Sequence, residues 1–181
     1  MRHTEADARH RFEAIFTSYY GRVLAYAIRR CDDHAAAEEA AAETFVIAWR
    51  RLDAVPSDPL PWLLQTARRV LANQRRSARR RATVPLSSLS EPDPAPSIAD
   101  RLAERDVFAH SFAALRPADR EVLTLVAWDG LRPKEAAKVL GCSAAVFSLR
   151  LHRARRRLMK ELAARGHSPT KLSIAEGVRA R

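Results

Sequence analysis

The sequence predicts an all-α protein made of two small helical domains joined by a flexible linker. Its 181 residues include only five glycines, and runs that alternate apolar and polar residues, as strands do, are scarce. Apolar residues recur instead at intervals of three and four, which is the spacing of one helix face. A stretch with four prolines, four serines and no lysine or arginine, residues 82–100, separates two such regions and is expected to be the linker.

The first helical region spans residues 9–81, and its apolar pattern breaks twice. A stripe of aromatic and aliphatic residues from Phe12 to Ile28 predicts the core face of a first helix. Asp32 and Asp33 are expected to end that helix and to cap the next one. A proline-rich turn then precedes a third helix, in which one face is apolar and the other carries arginines.

The second helical region spans residues 101–165, and its last part, from Leu131 to Leu158, predicts two short helices joined by a tight turn. Ala137 supplies a small residue where two helices touch, and Gly141 suits the turn, as a helix-turn-helix requires. The second of these helices is expected to bury one apolar face, formed by Phe147, Leu151, Ala154 and Leu158. Arginines occupy its remaining surface, at positions 150, 153, 155, 156 and 157. Such a helix packs on its own domain and still presents positive charge to phosphates.

Residues 166–181 form a tail that starts at a helix-ending glycine, and the pattern assigns no function to it. The net charge of +11 favours a polyanionic partner, with nucleic acid ahead of an anionic membrane surface. No apolar run approaches the roughly 18–20 residues that span a bilayer. The first residues are polar and lack the apolar stretch of a signal peptide, so a cytoplasmic location is expected.

An enzyme is the first alternative, and the sequence offers little for it. Cys31, Asp32, Asp33 and His34 form the one conceivable metal or nucleophile site, but they lie at a helix boundary where aspartates serve as caps. The sequence has no CxxC, HExxH or P-loop motif, and Cys31 and Cys142 suggest no disulfide framework. We therefore expect no catalytic activity, no metal, no cofactor and no small-molecule substrate.

Four stretches, taken in order, resemble the motifs of the sigma-70 family of bacterial transcription initiation factors. Residues 37–52 are similar to the polymerase-binding helix of the family, and residues 61–76 to its promoter-melting and −10-reading stretch. Residues 115–131 and 135–158 match its two motifs around the terminal helix-turn-helix. The order and separation match as well, so the chain resembles the small extracytoplasmic-function (ECF) type, which keeps only the sigma2 and sigma4 domains.

This resemblance implies roles for particular residues of the first region. Contact with the core polymerase would fall to Glu38, Glu39, Glu43 and Phe45. Glu39 stands where the family usually has an aspartate, and Ala42 where a glutamine is common. Recognition and melting of the −10 element would fall to Trp62, Arg68, Arg69, Asn73, Arg75 and Arg76, since aromatic faces stack unpaired bases and arginines follow the backbone.

In the second region the resemblance implies contacts with the −35 element of the promoter. These would fall to Lys134, Ser148, Leu149, Arg150, His152, Arg153 and Arg156. Ser148 can hydrogen-bond a base or a phosphate, whereas Leu149 can make only apolar contact, for example with a thymine methyl group. Lys134, Arg150 and Arg156 suit phosphates better than bases, and Arg153 suits either.

The resemblance therefore predicts a factor that directs core RNA polymerase to specific promoters and initiates transcription. It implies promoter DNA and core polymerase as partners, a linker path near the nascent RNA, and an anti-sigma factor that holds the protein inactive. The alternative is a stand-alone helix-turn-helix regulator that binds an operator without polymerase. That alternative explains the second region but gives the first no role, and the sequence offers no dimerisation helix for it.

Overall fold

The computed structural model describes residues 5–31, 33–81 and 99–166. Within these ranges the chain forms seven α-helices and a short 3-10 turn, without strands, which confirms the predicted all-α class. The helices are α1 (Glu5–Ile28), α2 (His34–Arg50), α3 (Leu60–Arg81), α4 (Ala99–Ala113), α5 (Pro117–Ala127), α6 (Pro133–Leu140) and α7 (Ala144–Ala164). They belong to two compact units, one built around α1 to α3 and the other around α4, α5, residues 133–137 of α6, and α7. Most of the expected linker and of the tail, residues 82–98 and 167–181, lies outside the described residues.

In the first unit, each of the three helices packs against the other two. The side of α2 that faces inward consists largely of alanines that are fully buried, namely Ala37, Ala40, Ala41 and Ala48. Such small side chains allow helix axes to approach closely. The larger buried side chains include Tyr26 of α1, Phe45 of α2, and Leu63 and Leu64 of α3.

The start of α2 is held by Asp33, as the sequence predicts. Its backbone is extended, and its carboxylate accepts hydrogen bonds from the backbone N–H groups of Ala35 and Ala36 at 3.3 and 3.2 Å. These are two of the four N–H groups that a helix leaves without an internal partner. The other predicted capping residue, Asp32, lies outside the described residues.

Two residues of the expected core stripe of α1 are instead exposed, Phe16 and Ile28. Ile28 follows the fully buried Ala27, and one residue turns a helix by about 100°, so its side chain points away from the core. Phe16 packs its ring edge-on against Phe45, with 5.0 Å between the centroids, but the rest of its side chain is open to solvent. The prediction that both belong to the core was wrong.

In the second unit, α4 and α5 both pack on α7. The buried side chains of α7 include Phe147, Leu151, Ala154 and Leu158, which confirms the predicted apolar face, and Leu162 extends it by one turn. Helix α4 begins at Ala99, so residues 99 and 100 are helical and not part of the linker to which the composition assigned them.

The predicted helix-turn-helix is formed by α6, the turn at residues 141–143, and α7. Gly141 has a φ of 66°, a left-handed conformation that glycine adopts without steric cost. The N–H of Cys142 closes the end of α6 on the carbonyl of Ala137 at 3.0 Å. Ser143 then caps α7, since its hydroxyl accepts a hydrogen bond from the N–H of Val146 at 3.2 Å.

Replacing Gly141 by alanine should destabilise the second unit by about 1 kcal/mol, because an L-residue is strained at this positive φ although the added carbon would meet no atom within 4 Å. The matched control is Gly21→Ala, which makes the same chemical change inside α1 and also meets nothing within 4 Å. It should stabilise the protein by about 0.5–1 kcal/mol. Urea denaturation followed by circular dichroism measures both, and equal shifts for the two variants would contradict this account.

Candidate functional site

The residues expected to contact the −35 element are brought together on the solvent-facing side of α7. Ser148, Leu149, Arg150, His152, Arg153 and Arg156 are all exposed there. Lys134 is exposed as well, in the first turn of α6. That turn is held by Glu135, whose carboxylate accepts the backbone N–H of Arg132 at 2.8 Å, the carboxylate half of a capping box.

A groove of about 740 Å³ runs between the start of α6 and the outer side of α7. Its lining comprises Pro133, Ser148, Leu151, His152, Arg155, Arg156 and Met159. Arg155 and Met159 are absent from the predicted site. Their spacing from Ser148, seven and eleven residues on one helix, is the signal that could have placed them beside it.

Arg157 has a different role from the other arginines of α7. One of its guanidinium nitrogens donates to both carboxylate oxygens of Asp119, at 2.8 and 2.7 Å. Asp119 lies in the first turn of α5 and is only 8% exposed. The pair therefore joins the N-terminus of α5 to α7, and a carboxylate in this position is further favoured by the helix dipole. The sequence analysis placed Arg157 among the arginines on the outer surface of α7. Its charge is instead paired with Asp119 within the second unit.

In the first unit, a second groove of about 410 Å³ lies between α2 and α3. Three of the residues expected at the −10 element, Trp62, Arg69 and Asn73, line it along one face of α3. Trp62 is half-buried, so part of its indole ring is accessible. Arg76 lies further along the same face, and its guanidinium donates a hydrogen bond to the side-chain oxygen of Asn73 at 2.6 Å.

The remaining two residues of the predicted −10 set, Arg68 and Arg75, lie on another face of α3. Arg75 donates to the backbone carbonyl of Arg30, just beyond the end of α1. The guanidinium of Arg30 in turn lies over the ring of Tyr26, 3.6 Å from its centroid. The structure thus gathers four of the six residues around one face and separates the other two.

The wall of this groove that α2 supplies was not predicted from the sequence. It comprises Glu43, Ile47, Arg50 and the adjoining Arg51. No short-range pattern indicates it, because the contact joins helices about twenty residues apart in the chain. The basic pair at the end of α2 adds positive charge beside Trp62 and Arg69.

The residues expected to contact the polymerase lie on α2, and three of the four are exposed. Glu38, Glu39 and Glu43 all face solvent, and Glu38 lies 3.5 Å from His34. Phe45, the fourth, is only 2% exposed and packs against the rings of Phe12 and Phe16. Placing Phe45 on the contact surface was therefore wrong, because the spacing of the buried alanines puts position 45 on the inward face.

The large exposed apolar residues of α2 are Val46 and Trp49, which the sequence analysis did not assign to a surface. Trp49 is 45% exposed and packs one edge against Phe12, with 5.1 Å between the ring centroids. Val46 lies on the side away from the buried alanines, and this periodicity is the signal that could have identified it. Trp49 lies one helical turn beyond Phe45, at the edge of the face that packs on α1.

In the Cys31–His34 segment, Asp33 serves as a helix cap, and Asp32 lies outside the described residues. Among the side chains that the structure describes, no three of the kinds that commonly bind metals are grouped as ligands. Among the helices that the structure describes, none combines the length and the apolar character needed to cross a membrane.

The two units match two known families. Residues 15–81 match Sigma-70 region 2, and residues 105–158 match Sigma-70 region 4. These matches cover more than half of the chain and include both grooves and α7. The chain belongs to the sigma-70 family of RNA polymerase sigma factors and, within it, to the ECF type.

Individual relatives agree with this assignment. The chain is 32% identical over 182 residues to the probable RNA polymerase sigma factor RfaY of Xanthomonas campestris pv. campestris, an alignment that covers 92% of this chain and 46% of RfaY. It is 29% identical over 154 residues to the ECF RNA polymerase sigma factor SigL of Mycobacterium tuberculosis, covering 80% of this chain and 85% of SigL. The chain thus spans about half the length of RfaY and most of that of SigL.

The fold also resembles a solved structure, the sigma factor RpoE of Bartonella quintana in complex with the anti-sigma factor NepR. The TM-score is 0.65 and the identity 24%, over 84% of this chain and 96% of RpoE. At this level of identity, the similarity is evidence for a shared fold alone.

Removing either partner of the Asp119–Arg157 pair should destabilise the second unit by about 1–2 kcal/mol, somewhat less than is usual for hydrogen bonds between charged groups, because Arg157 is half exposed. The double variant Asp119→Ala with Arg157→Ala should cost less than the sum of the two single changes. The control is Arg153→Ala on the exposed side, which should change the free energy of unfolding by less than about 0.5 kcal/mol. Urea denaturation of the four variants measures this, and strictly additive costs would refute the coupling.

Proposed function

We propose that this protein is a sigma factor that directs core RNA polymerase to specific promoters and initiates transcription there. The observation that carries the proposal is that one chain holds a region 2 unit and a region 4 unit in order, each with an exposed basic surface on a helix. A stand-alone regulator would use the second unit and leave the grooved, arginine-bearing α3 of the first without a role.

The second unit is proposed to bind the −35 element through α7. Helix-turn-helix proteins place the second helix in the major groove, with its N-terminal residues at the base edges. Ser148, Leu149 and His152 then face bases, while Arg150, Arg153 and Arg156 reach phosphates or guanine. Lys134, at the start of α6, suits a phosphate beside the groove.

The first unit is proposed to open the −10 region. The accessible part of Trp62 offers a stacking face, and such stacking stabilises an unpaired base by about 1–3 kcal/mol. Arg69 and Asn73 lie on the same groove wall, where they can contact the backbone and base edge of that strand. Arg68 and Arg75, on the other face of α3, are proposed to follow the phosphates further along.

The exposed acids of α2 are proposed to bind a basic surface of the core polymerase. Glu38, Glu39 and Glu43 present negative charge on a chain whose net charge is +11, and Glu43 also lines the groove beside Trp62, so the acidic surface borders the proposed −10 site. Complementary charge of this kind sets orientation and speeds association. Phe45 supports the surface from beneath, and Trp49 with Val46 adds exposed apolar area.

The chemistry of transcription then belongs to the polymerase, and this chain is proposed to have no catalytic activity of its own. It is proposed to work in the cytoplasm, where polymerase and promoters are found. An anti-sigma factor that holds it inactive is also part of the proposal, and RpoE, whose fold it shares, was solved with such a partner.

Run-off transcription tests the central claim. Purified protein added to core polymerase should yield a defined transcript from the promoter mapped after its induced expression, and neither component alone should do so. The protein alone should bind that duplex weakly. Tight, specific binding by the protein alone, with no transcript on addition of polymerase, would favour the stand-alone regulator.

Reversing one charge on α2 tests the polymerase surface. Glu39→Lys should weaken binding of core polymerase about tenfold or more, because a like charge then faces a basic partner. The matched control is Glu13→Lys, which makes the same exchange at an exposed position of α1 and should leave binding unchanged. Competition for core polymerase against a labelled sigma factor measures both. Equal losses for the two variants would point to net charge, and not to this surface.

A further inference from the structure

The first two turns of α7 carry an exposed surface that is apolar, although the rest of the helix is strongly basic. Leu149 is 52% exposed and Val146 is 41% exposed, and Ala145 beside them is exposed too. The first arginine of the helix is Arg150. Val146 and Leu149 are neighbours three residues apart, whereas most of the other large exposed side chains of α7 are basic, with Met159 as a further apolar one.

The buried residues of α7 define where this surface points. Phe147 is fully buried and Leu151 is nearly so, which marks the inward direction. Leu149 lies two residues after Phe147 and two before Leu151. Two residues turn a helix by about 200°, so Leu149 occupies the middle of the outward face. Because Ser143 caps the helix, its first turn is well formed, and Leu149 belongs to the N-terminal half that reads base edges in a helix-turn-helix.

The major groove of DNA offers one prominent apolar feature, the 5-methyl group of thymine. Its other features are hydrogen-bond donors and acceptors, which arginine, asparagine or glutamine side chains read in pairs. Residues 144–149 of α7 hold none of these three residue types, and Ser148 is the one polar side chain among them. The exposed arginines that follow supply the charge complementarity that brings this apolar surface to DNA.

We propose that Leu149, with Val146 beside it, reads thymine methyl groups in the −35 element, so that promoter choice at this place depends on apolar contact. The inference rests on the proposed function and deepens it, since it names the base feature that the recognition helix selects. It makes Leu149 a specificity-determining residue. Arg150 and Arg153 hold the helix against the backbone on either side of it.

The experiment removes methyl groups from the DNA one at a time. Holoenzyme is assembled from core polymerase and the full chain, and each thymine of the −35 element in the mapped promoter is replaced by deoxyuridine, which pairs identically but lacks the methyl. At one or two positions the substitution should weaken binding about fourfold, the factor expected for one buried methyl group. Deoxyuridine in the spacer between the −35 and −10 elements should have no effect.

Two variants assign the effect to Leu149. Leu149→Ala should abolish the discrimination between thymine and uracil at the sensitive position, while alanine, a strong helix former at an exposed site, keeps the helix intact. Leu149→Met keeps the apolar surface and should retain the discrimination. The readout is the ratio of the two dissociation constants, which a general loss of stability would not change.

The inference and the proposed function fail in different ways. No polymerase-dependent transcript from unmodified DNA overturns both. A normal transcript combined with equal binding of thymine and uracil at every −35 position overturns the inference alone. The same holds if that element contains no thymine, or if Leu149→Ala retains the full discrimination.

Discussion

Each helix that presents charge in this protein is held in place by one buried apolar stripe. In α3 the stripe includes Leu63, Ala67 and Val70, and in α7 it includes Phe147 and Leu151. A stripe of this kind occupies roughly a third of the circumference of a helix, so the remainder can carry residues chosen for contact with a partner. The basic surfaces, the two grooves and the exposed apolar side chains of α7 all depend on this division. It explains how a short chain with a large positive charge folds and still keeps its arginines outside.

Not every charge on these helices is available for binding. Asp33 and Glu135 hold backbone N–H groups at helix starts, and the Asp119–Arg157 pair joins two helices of the second unit. A neutral residue could not replace them without loss of a charge-assisted hydrogen bond. The exposed charges, such as Glu39 and Arg153, bear on partners more than on stability. Whether a charged residue stabilises the fold or is available to a partner therefore depends on its position in the helix, and not on its residue type.

The local features of the fold could be predicted from the sequence, because they depend on neighbours within a few residues. The helices, the cap at Asp33, the glycine turn at Gly141 and the buried stripe of α7 all belong to this class. What could not be predicted are contacts between residues far apart in the chain. Arg157 lies 38 residues from Asp119 and reads locally as one more surface arginine. The residues of α2 that line the groove beside Trp62 could not be predicted for the same reason.

The error at Phe45 has a different cause. Its aromatic ring suggested a contact surface by resemblance, whereas the alanines of α2 already placed that position inward. Trp49, four residues further on, is the aromatic residue that solvent reaches. The two positions are one helical turn apart and lie on similar sides of α2, so periodicity does not separate them. How deeply each ring is covered depends on its contacts with α1, which lie far away in the sequence.

The Asp119–Arg157 pair also bears on attempts to re-engineer promoter choice. Recognition helices are natural modules to exchange between relatives, and α7 together with its turn would be the obvious segment to transplant. Arg157 would travel with that segment, but its partner stays behind at the start of α5. A chimaera built on a relative without an acid at that place would carry a guanidinium without its carboxylate, so the helix could sit differently on its new host. The exchangeable unit of this protein is therefore α7 plus one residue outside it, Asp119.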